Sequence, residues 1–199
     1  MIVNYPHKSD YANVRQIGIT VTTYADNAKI NHIGIVYKLG EEAPSMLHFD
    51  ATLIEGNIPI EPKYLWLDLG DDFTDIDRTI ICMHAKKVAD VNNQKSLAYG
   101  YDTPGGYIDG ETGELMAPLG DFGLTCATFV LEVFESCGYS VVDIASWPRS
   151  TQEDQVWQEN MLWGQKGYRE DISPEIIARQ VKNIGSSRFL PEQVAAATQ

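Results

Sequence analysis

The sequence predicts an α+β fold in which an antiparallel sheet comes first along the chain and most of the helices follow. Four short runs are rich in β-branched and aromatic residues and are bounded by polar and turn residues, as strands are: 15–22, 32–39, 46–51 and 64–69. Beyond these runs the apolar residues recur at steps of three and four, the period of an amphipathic helix. The chain has 199 residues, enough for one domain with a sizeable core.

The first helix is predicted over 72–91. Asp and Thr residues that favour helix initiation stand at its start, and its apolar positions follow at helical spacing: Ile76, Ile80, Ile81, Met83 and Val88. Cys82 and His84 lie within the same pattern. We therefore expect both of them to be packing residues rather than catalytic groups.

A second helix is predicted to begin at Thr125 and to stop at Gly138. Its apolar stripe has helical spacing and is formed by Cys126, Phe129, Val130, Val133, Phe134 and Cys137. This stripe predicts that the helix packs against the sheet.

We expect the chain to consist of a core over 1–145 and a helical extension over 146–199 that packs on the same domain. Three patterns begin helices in the extension: a capping box at 150–153, a Ser-Pro-Glu start at 173–175 whose helix ends near Gly185, and a Leu-Pro-Glu start at 190–192. Trp157 and Trp163 lie in the first of these helices, where their spacing favours core packing over a ligand platform.

The charge balance excludes several classes of partner. Acidic residues outnumber basic residues by 28 to 15, which gives a net charge of −13, and such a surface repels the phosphates of nucleic acids and anionic lipids. A solvated surface is the simple interpretation, and a basic protein partner is the alternative. The chain has no run of 18 apolar residues and no signal-peptide pattern near its start. We expect no membrane span, and a cytoplasmic location unless a signal-independent route exports the protein.

The sequence predicts neither a metal nor a cofactor. Cys82, Cys126 and Cys137 are odd in number and irregular in spacing, which argues against a disulfide framework and against a paired-cysteine zinc site. Residues 109–114 resemble a calcium-binding loop only superficially, because the ligand spacing of an EF-hand is missing. A small hairpin turn is the favoured interpretation of that segment.

Cys126 is the cysteine whose position favours chemistry. It lies in the first turn of its predicted helix, where unpaired backbone N–H groups and the positive end of the helix dipole would stabilise a thiolate and lower the thiol pKa. The alternative is a packing residue, because Cys126 also lies on the apolar stripe and unpaired cysteine is often buried. Cys137 lies at the opposite end of the helix, and we expect it to be a packing residue.

His32 and His48 are the two histidines that the predicted strands would hold. Strand alternation places His48 and Asp50 on one face of the second strand. If the two strands pair in antiparallel fashion, His48 or Asp50 comes beside His32 and supplies the partner that a general base needs to fix its tautomer. Two unrelated histidines bonded to backbone groups are the alternative.

Residues 93–122 form a long connection that is rich in glycine and tyrosine and leads directly into the cysteine helix. Connections of this length within a compact domain are usually binding loops or lids, or are disordered, and the tyrosines favour order. We expect Tyr99, Tyr101 and Tyr107 to contact substrate, although tyrosines also simply anchor loops. Thr125, immediately before the cysteine, is a further candidate contact.

Three short motifs together resemble the circularly permuted papain-like hydrolases of the NlpC superfamily: residues 32–37, 46–51 and 125–130. This superfamily includes bacterial amidases and the lecithin retinol acyltransferases. In these relatives the histidine strand precedes the cysteine helix, which reverses the order in papain, and this chain has the reversed order. The resemblance spans residues 28–140, and the joint occurrence and order of the motifs carry it.

The resemblance implies a papain-like antiparallel sheet with the nucleophile helix packed on it. It implies that Cys126 is the nucleophile and that His32 is the general base. The third group in such families is a polar residue on the next strand, which is His48 as in the acyltransferases or Asp50 as in the bacterial amidases. We choose His48 first.

The sequence departs from the family immediately around the nucleophile. Relatives often carry an aromatic residue followed by Cys-Ser, whereas here Thr125 precedes Cys126 and Ala127 follows it. This departure leaves the subfamily open, and a degenerate, inactive member is an alternative.

The implied activity is cysteine-dependent hydrolysis of an amide bond through a thioester intermediate, in a peptide, a cell-wall peptide or another isopeptide. An acyltransferase or thioesterase that acts on lipid or small acyl substrates is the first alternative. A catalytically silent binding module, whose acidic surface meets a basic partner, is the second. The sequence does not determine the oligomeric state.

Overall fold

The computed structural model describes residues 11–23, 30–50, 53–116, 122–168 and 174–199. It confirms the α+β class, with helices packed on a five-stranded sheet in the order β4-β3-β2-β1-β5. All neighbouring strands are antiparallel. The strands are β1 (Ile17–Thr22), β2 (His32–Tyr37), β3 (Ser45–Asp50), β4 (Leu53–Pro59) and β5 (Leu65–Asp68).

Helices make up most of the remaining regular secondary structure. They are α1 (Asp75–Asn92), α2 (Cys126–Ser136), α3 (Gln152–Tyr168), α4 (Pro174–Lys182) and α5 (Pro191–Ala197), with a short 3₁₀ helix at Ile144–Ser146. A short parallel pair, β6 (Ala98–Tyr99) and β7 (Gly123–Leu124), comes between α1 and α2 along the chain. Among the helices of the described ranges, none combines the length and the hydropathy needed to cross a bilayer.

The main core lies between one face of the sheet and the helices. Ile33 and Ile35 of β2 are buried there together with Phe129 of α2, and strand alternation turns the intervening residues to the other face. On that second face Val36 packs with Trp66 in a smaller apolar cluster. The sheet is therefore covered on both faces, and every residue of β1 and β2 is buried.

Gly34 creates the space that a histidine on the next strand occupies. It pairs with His48 across β2 and β3. A Cβ atom added at Gly34 would lie 2.9 Å from the His48 Cβ, a distance that real Cβ atoms almost never show, and 3.0 Å from the Thr20 Oγ1. Glycine at this position therefore leaves room for the His48 side chain on the adjacent strand.

The parallel pair β6–β7 brings the long connection to the start of the cysteine helix. Tyr99 pairs with Leu124, so Tyr99 lies close to the first residues of α2. A Cβ atom added at Gly123 would lie 2.8 Å from the Gly100 Cα. The two segments approach this closely because both carry glycine at the contact.

Glu132 of α2 fixes the next part of the same connection. Its side chain is fully buried and accepts hydrogen bonds from the backbone N–H groups of Gly105, Tyr107 and Ile108, the last two at 2.7 and 2.9 Å. A carboxylate removed from water requires donors of this kind. The glycine-rich connection is thus ordered by a side chain of the helix that also carries Cys126.

β4 is a strand that the sequence pattern does not predict. Its apolar alternation is broken by Glu55, Gly56 and Asn57, residues that strands disfavour. Asn57 has a positive φ of 57°, and the pairing of β3 with β4 shifts register between Met46 and His48. Such a bulge gives no signal in a two-residue periodicity.

The predicted helix over 72–91 is confirmed as α1, but part of its predicted stripe is wrong. Ile76, Ile80 and Met83 are 72%, 44% and 59% exposed. The packed face is formed instead by Ile81, Cys82, Ala85, Val88 and Ala89. Two overlapping apolar stripes exist on this helix, and only one of them can face the sheet. Cys82 and His84 are buried, as predicted.

The helical extension follows its predicted outline, with small shifts. The cap of α3 is Thr151, whose hydroxyl accepts from the Asp154 N–H at 3.2 Å while Asp154 accepts from the Thr151 N–H at 3.0 Å, so the box begins one residue later than predicted. Ser173, predicted to open α4, lies outside the described residues. Trp163 is 56% exposed rather than packed. Val194 of α5 is buried in the main core of the sheet.

Residues 109–114 form the predicted hairpin turn. Ile108 and Leu115 make an antiparallel bridge, and the Asp109 N–H donates to the Glu114 carbonyl at 2.9 Å. Within the described ranges, no cluster of three or more His, Cys, Asp or Glu side chains is arranged to hold a metal ion.

Candidate active site

Cys126 is the first residue of α2, and the cap of this helix aims backbone donors at its sulfur. The Thr125 hydroxyl accepts from the Thr128 N–H at 3.1 Å, and the Thr128 hydroxyl accepts from the Thr125 N–H at 2.7 Å. This reciprocal cap leaves the N–H groups of Cys126 and Ala127 directed at the sulfur, and the N–H of Ile33 in β2 faces it as well.

Burial decides the protonation state of this thiol. Cys126 is only 7% exposed, and desolvation raises its pKa to about 11 although the three N–H groups favour the thiolate. The carboxylate of Asp50 acts in the same direction as burial. The prediction of a lowered pKa from the helix-start position is therefore wrong, because desolvation outweighs the helix terminus. The resting thiol is neutral at physiological pH and needs a base to react.

We expect iodoacetamide to alkylate Cys126 slowly at neutral pH. Because the thiolate is the reactive form and the pKa is raised to about 11, the rate should increase about tenfold for each pH unit until the pH approaches that value. Peptide mass spectrometry of the native protein over a pH series measures this rate. Cys137, whose pKa burial raises to about 12, is the internal comparison. Fast labelling of Cys126 that is independent of pH would contradict the buried, neutral thiol.

His32 and His48 contact each other directly. His32 Nε2 lies 2.7 Å from His48 Nδ1, and the rings meet edge to face with their centroids 4.9 Å apart. The predicted antiparallel pairing of their strands is confirmed, with Gly34 opposite His48, so His32 is the diagonal neighbour of His48 on the same face. The Tyr64 ring lies beside both, with centroid distances of 6.1 and 6.3 Å.

His48 also faces the carboxylate of Glu55, which the sequence analysis did not predict as part of the site. Glu55 of β4 pairs with His48, and its Oε2 lies 3.0 Å from His48 Nε2. The oxygen is not aligned with the ring N–H well enough to form a hydrogen bond, so the contact is a short interaction between a charge and a dipole. Asp50, the alternative third residue, is exposed at the end of β3. Of these two carboxylates, Glu55 is the one in contact with the histidine pair.

Both imidazoles are neutral at physiological pH. Burial lowers the pKa of His32 to about 3, and the neighbouring His48 and Lys63 act in the same direction. Burial also lowers the pKa of His48, outweighing the carboxylates of Glu55 and Asp50, which raise it. A neutral imidazole carries a lone pair on one nitrogen and can accept a proton, but the burial that lowers the pKa of His32 also makes it a weak base.

The thiol and the histidine pair lie at the same end of β2. Asn31 lines the cavity into which Cys126 opens, and the N–H of Ile33 faces the sulfur, so His32 stands between two residues of the thiol's surroundings. Among the described residues, the hydrogen bonds of His32 include one to His48 and none to Cys126. The structure thus joins the two histidines but does not join the thiol to them. By strand alternation His32 lies on the same face of β2 as Gly34 and Val36, opposite the face on which Phe129 of α2 packs, and neither histidine lines the cavity with Cys126.

Cys126 opens into a cavity of about 490 Å³. The cavity lies between the start of α2, the segment around β6 and the segment that leads into α5. Its aromatic and hydroxyl-bearing walls are formed by Tyr99, Tyr101, Thr103, Thr125, Trp157 and Phe189, and its charged residues are Asp102, Arg188 and Glu192.

The predicted substrate contacts divide into two groups. Tyr99, Tyr101 and Thr125 line the cavity together with the cysteine. Tyr101 is held by its hydroxyl, which donates to the Gln158 carbonyl at 2.9 Å. Tyr107 lies outside the cavity lining and stacks on Phe122 with the ring centroids 4.2 Å apart. It therefore anchors the connection, which is the alternative role that the sequence left open for these tyrosines.

Two further residues of the cavity wall were not expected from the sequence. The Arg188 guanidinium lies 3.9 Å from the centroid of the Trp157 ring and donates to the Asp154 carboxylate at 2.9 Å. The spacing of Trp157 favoured core packing, whereas its ring forms part of the cavity. The two residues come together only through tertiary packing, so no local sequence signal could have shown the pair.

Asp102 is a structural part of the cavity wall. Its carboxylate accepts from the Gly123 N–H at 2.7 Å, from the Gln180 side chain at 2.5 Å and from the Asn183 side chain at 2.9 Å. These three donors tie the long connection to α4 and to the strand that precedes α2. The other charged side chains of the cavity lining are Arg188 and Glu192. Among the described residues, neither has the backbone and amide donors that hold Asp102.

Comparison with known proteins finds no match to the chain among protein-family models, curated proteins or solved structures. Function therefore has to be inferred from the chemistry of the site.

Proposed function

We propose that the protein is a cysteine-dependent hydrolase that cleaves an amide bond in a peptide or isopeptide substrate. Cys126 is the nucleophile and His32 is the general base, as the resemblance to the permuted papain-like hydrolases implies. The observation that carries the proposal is the position of Cys126, at the first turn of α2 with backbone N–H groups facing its sulfur and on the wall of a cavity. The role of His32 rests on the resemblance and on its contact with His48 at 2.7 Å.

The reaction begins from a neutral thiol and a neutral imidazole. His32 Nδ1 takes the thiol proton as the Cys126 sulfur attacks the carbonyl carbon, so a thiolate forms only as the new bond forms. In this proposal the N–H groups of Cys126 and Ala127, which face the sulfur in the resting thiol, stabilise the oxyanion once the sulfur has bonded to carbon. The protonated His32 then gives its proton to the leaving amine, and a thioester remains on the sulfur.

Water completes the reaction. His32, neutral again, takes a proton from a water molecule that attacks the thioester carbonyl, and then returns that proton to the sulfur as the carboxylic acid leaves. The cavity has a volume of about 490 Å³, which is in the range of small-molecule sites. Its wall combines aromatic side chains with a larger number of polar ones, a mixture that suits the apolar and amide groups of a peptide.

Acyl transfer is the second candidate, and one observation favours it. His48, rather than the exposed Asp50, is the residue that contacts His32, and a histidine at this position is the pattern of the acyltransferase branch in the resemblance. In that reaction the same thioester passes its acyl group to an amine or a hydroxyl instead of to water.

The test offers peptidoglycan fragments and p-nitrophenyl acyl esters to the protein in parallel. Intact-mass spectrometry and peptide mapping then detect an acyl group on a cysteine, and product masses show whether water or another acceptor received it. Acylation of Cys126 supports the proposal. If no thiol is acylated by either class of substrate, the proposal fails and a catalytically silent binding module is favoured.

We expect His32→Ala to slow the acylation of Cys126 by at least about a hundredfold, because the neutral thiol loses the group that removes its proton. His84→Ala is the matched control, since His84 is also a buried histidine but lies on α1 and contacts Ser136 at 2.7 Å. Stopped-flow measurement of p-nitrophenol release reports the rate. Equal rates in the two variants would contradict the role of His32.

A further inference from the structure

We propose that Glu55 is a positioning residue that sets the tautomer of His48 and, through His48, the tautomer of His32. The result is that His32 Nδ1 carries the lone pair that accepts the thiol proton. The catalytic purpose of this relay rests on the proposed function, whereas the tautomers themselves can be measured without any activity.

The first step of the relay is the contact between Glu55 and His48. The carboxylate Oε2 lies 3.0 Å from His48 Nε2. A lone pair on Nε2 would turn the negative end of the ring dipole towards the carboxylate, whereas a proton on Nε2 turns the positive end towards it. The proton is therefore on Nε2, even though the N–H is not aligned for a full hydrogen bond. The register shift in the pairing of β3 with β4 is what places Glu55 opposite His48.

The second step is the contact between the two rings. A neutral His48 that carries its proton on Nε2 has a lone pair on Nδ1. His32 Nε2 lies 2.7 Å from that Nδ1, a distance at which one nitrogen has to donate and the other has to accept. His32 is therefore the donor through its Nε2–H. Its Nδ1 then has the lone pair, which is the form that a base acting on the thiol needs.

The relay also places negative charge behind the imidazolium that forms during the reaction. When His32 accepts the proton on Nδ1, its Nε2–H stays on His48, and the carboxylate of Glu55 lies on the far side of that ring. Asp50 acts on His48 in the same direction and Lys63 in the opposite one. Of these charged groups, Glu55 is the one in contact with the pair.

His84 provides an internal reference for the measurement. Its Nε2 lies 2.7 Å from the Ser136 hydroxyl, and that hydroxyl donates to the Val133 carbonyl at 3.0 Å. His84 Nε2 must therefore donate, so His84 has the same tautomer for a reason unrelated to Glu55. A change that affects the relay should leave the ring nitrogens of His84 unchanged.

The experiment records long-range ¹H–¹⁵N correlations of the histidine rings in the ¹⁵N-labelled full chain at neutral pH. We expect His32 and His48 to carry their protons on Nε2. In Glu55→Gln the side chain keeps its size, but its amide can donate as well as accept, so both rings should become mixtures of tautomers. Glu55→Asp keeps a group that only accepts and should retain the Nε2–H form. The thermal midpoint of each variant serves as the control for folding.

Two results overturn the inference: a wild-type His32 that carries its proton on Nδ1, or ring tautomers that are the same in Glu55→Gln as in the wild type. If the relay is correct and the protein is a hydrolase, acylation of Cys126 should also fall at least about tenfold in Glu55→Gln and be restored in Glu55→Asp, because a wrong tautomer removes the base. The expected tautomers in a protein that acylates no substrate would refute the proposed function and leave the relay intact.

Discussion

Cys126→Ala is expected to abolish acyl-enzyme formation and to lower turnover by at least about a thousandfold, because the proposed covalent intermediate forms on the sulfur that is removed. The cost to stability should be small, about 1 kcal/mol, since only one buried atom is removed and Cys126, although it belongs to the main core, also borders a cavity. Denaturant unfolding and p-nitrophenyl ester turnover, measured on the same preparation, separate the two effects.

Cys82→Ala is the matched control for this substitution. Cys82 is 1% exposed and donates to the Lys38 carbonyl at 3.5 Å, so the same chemical change is made at a buried thiol on α1. We expect it to retain turnover and to lose at least as much stability as Cys126→Ala. If Cys126→Ala unfolds the protein, or if both variants keep turnover, Cys126 is a packing residue and the catalytic proposal fails.

The sequence was most informative where the determinants of structure are local. The start of α2 at Cys126 follows from the threonine cap at Thr125 and the helical period beyond it, and both features lie within one turn of helix. The approach of His32 to His48 follows from strand alternation and antiparallel pairing of consecutive strands. Local periodicity therefore identified the three residues around which the candidate site is built.

The sequence was least informative where a bulge or tertiary packing decides the outcome. Glu55 reaches His48 only because the pairing of β3 with β4 shifts register, and a register shift has no signature in composition. Trp157 and Arg188 meet across the cavity wall through the packing of separate segments. The sign of the Cys126 pKa shift depends on burial, which a helix-terminus rule does not include.

The long connection before the cysteine helix depends for its conformation on the buried carboxylate of Glu132. Glu132→Ala is expected to lower the free energy of unfolding by about 3 kcal/mol or more, because each buried donor that is left without an acceptor costs about 1–3 kcal/mol. The reason is that the N–H groups of Gly105, Tyr107 and Ile108 lose their common acceptor. Chemical denaturation measured by intrinsic fluorescence reports the change.

Glu135→Ala is the matched control on the same helix. Among the described residues, its carboxylate accepts from the Ser140 hydroxyl at an exposed site, so the change should stay within about 0.5 kcal/mol. Glu132→Gln should fall between the two, because one amide oxygen still accepts while the amide nitrogen faces donors that it cannot bond. Equal stability of Glu132→Ala and Glu135→Ala would mean that water replaces the carboxylate. The connection would then owe its order to its own contacts, such as the stacking of Tyr107 on Phe122, rather than to the cysteine helix.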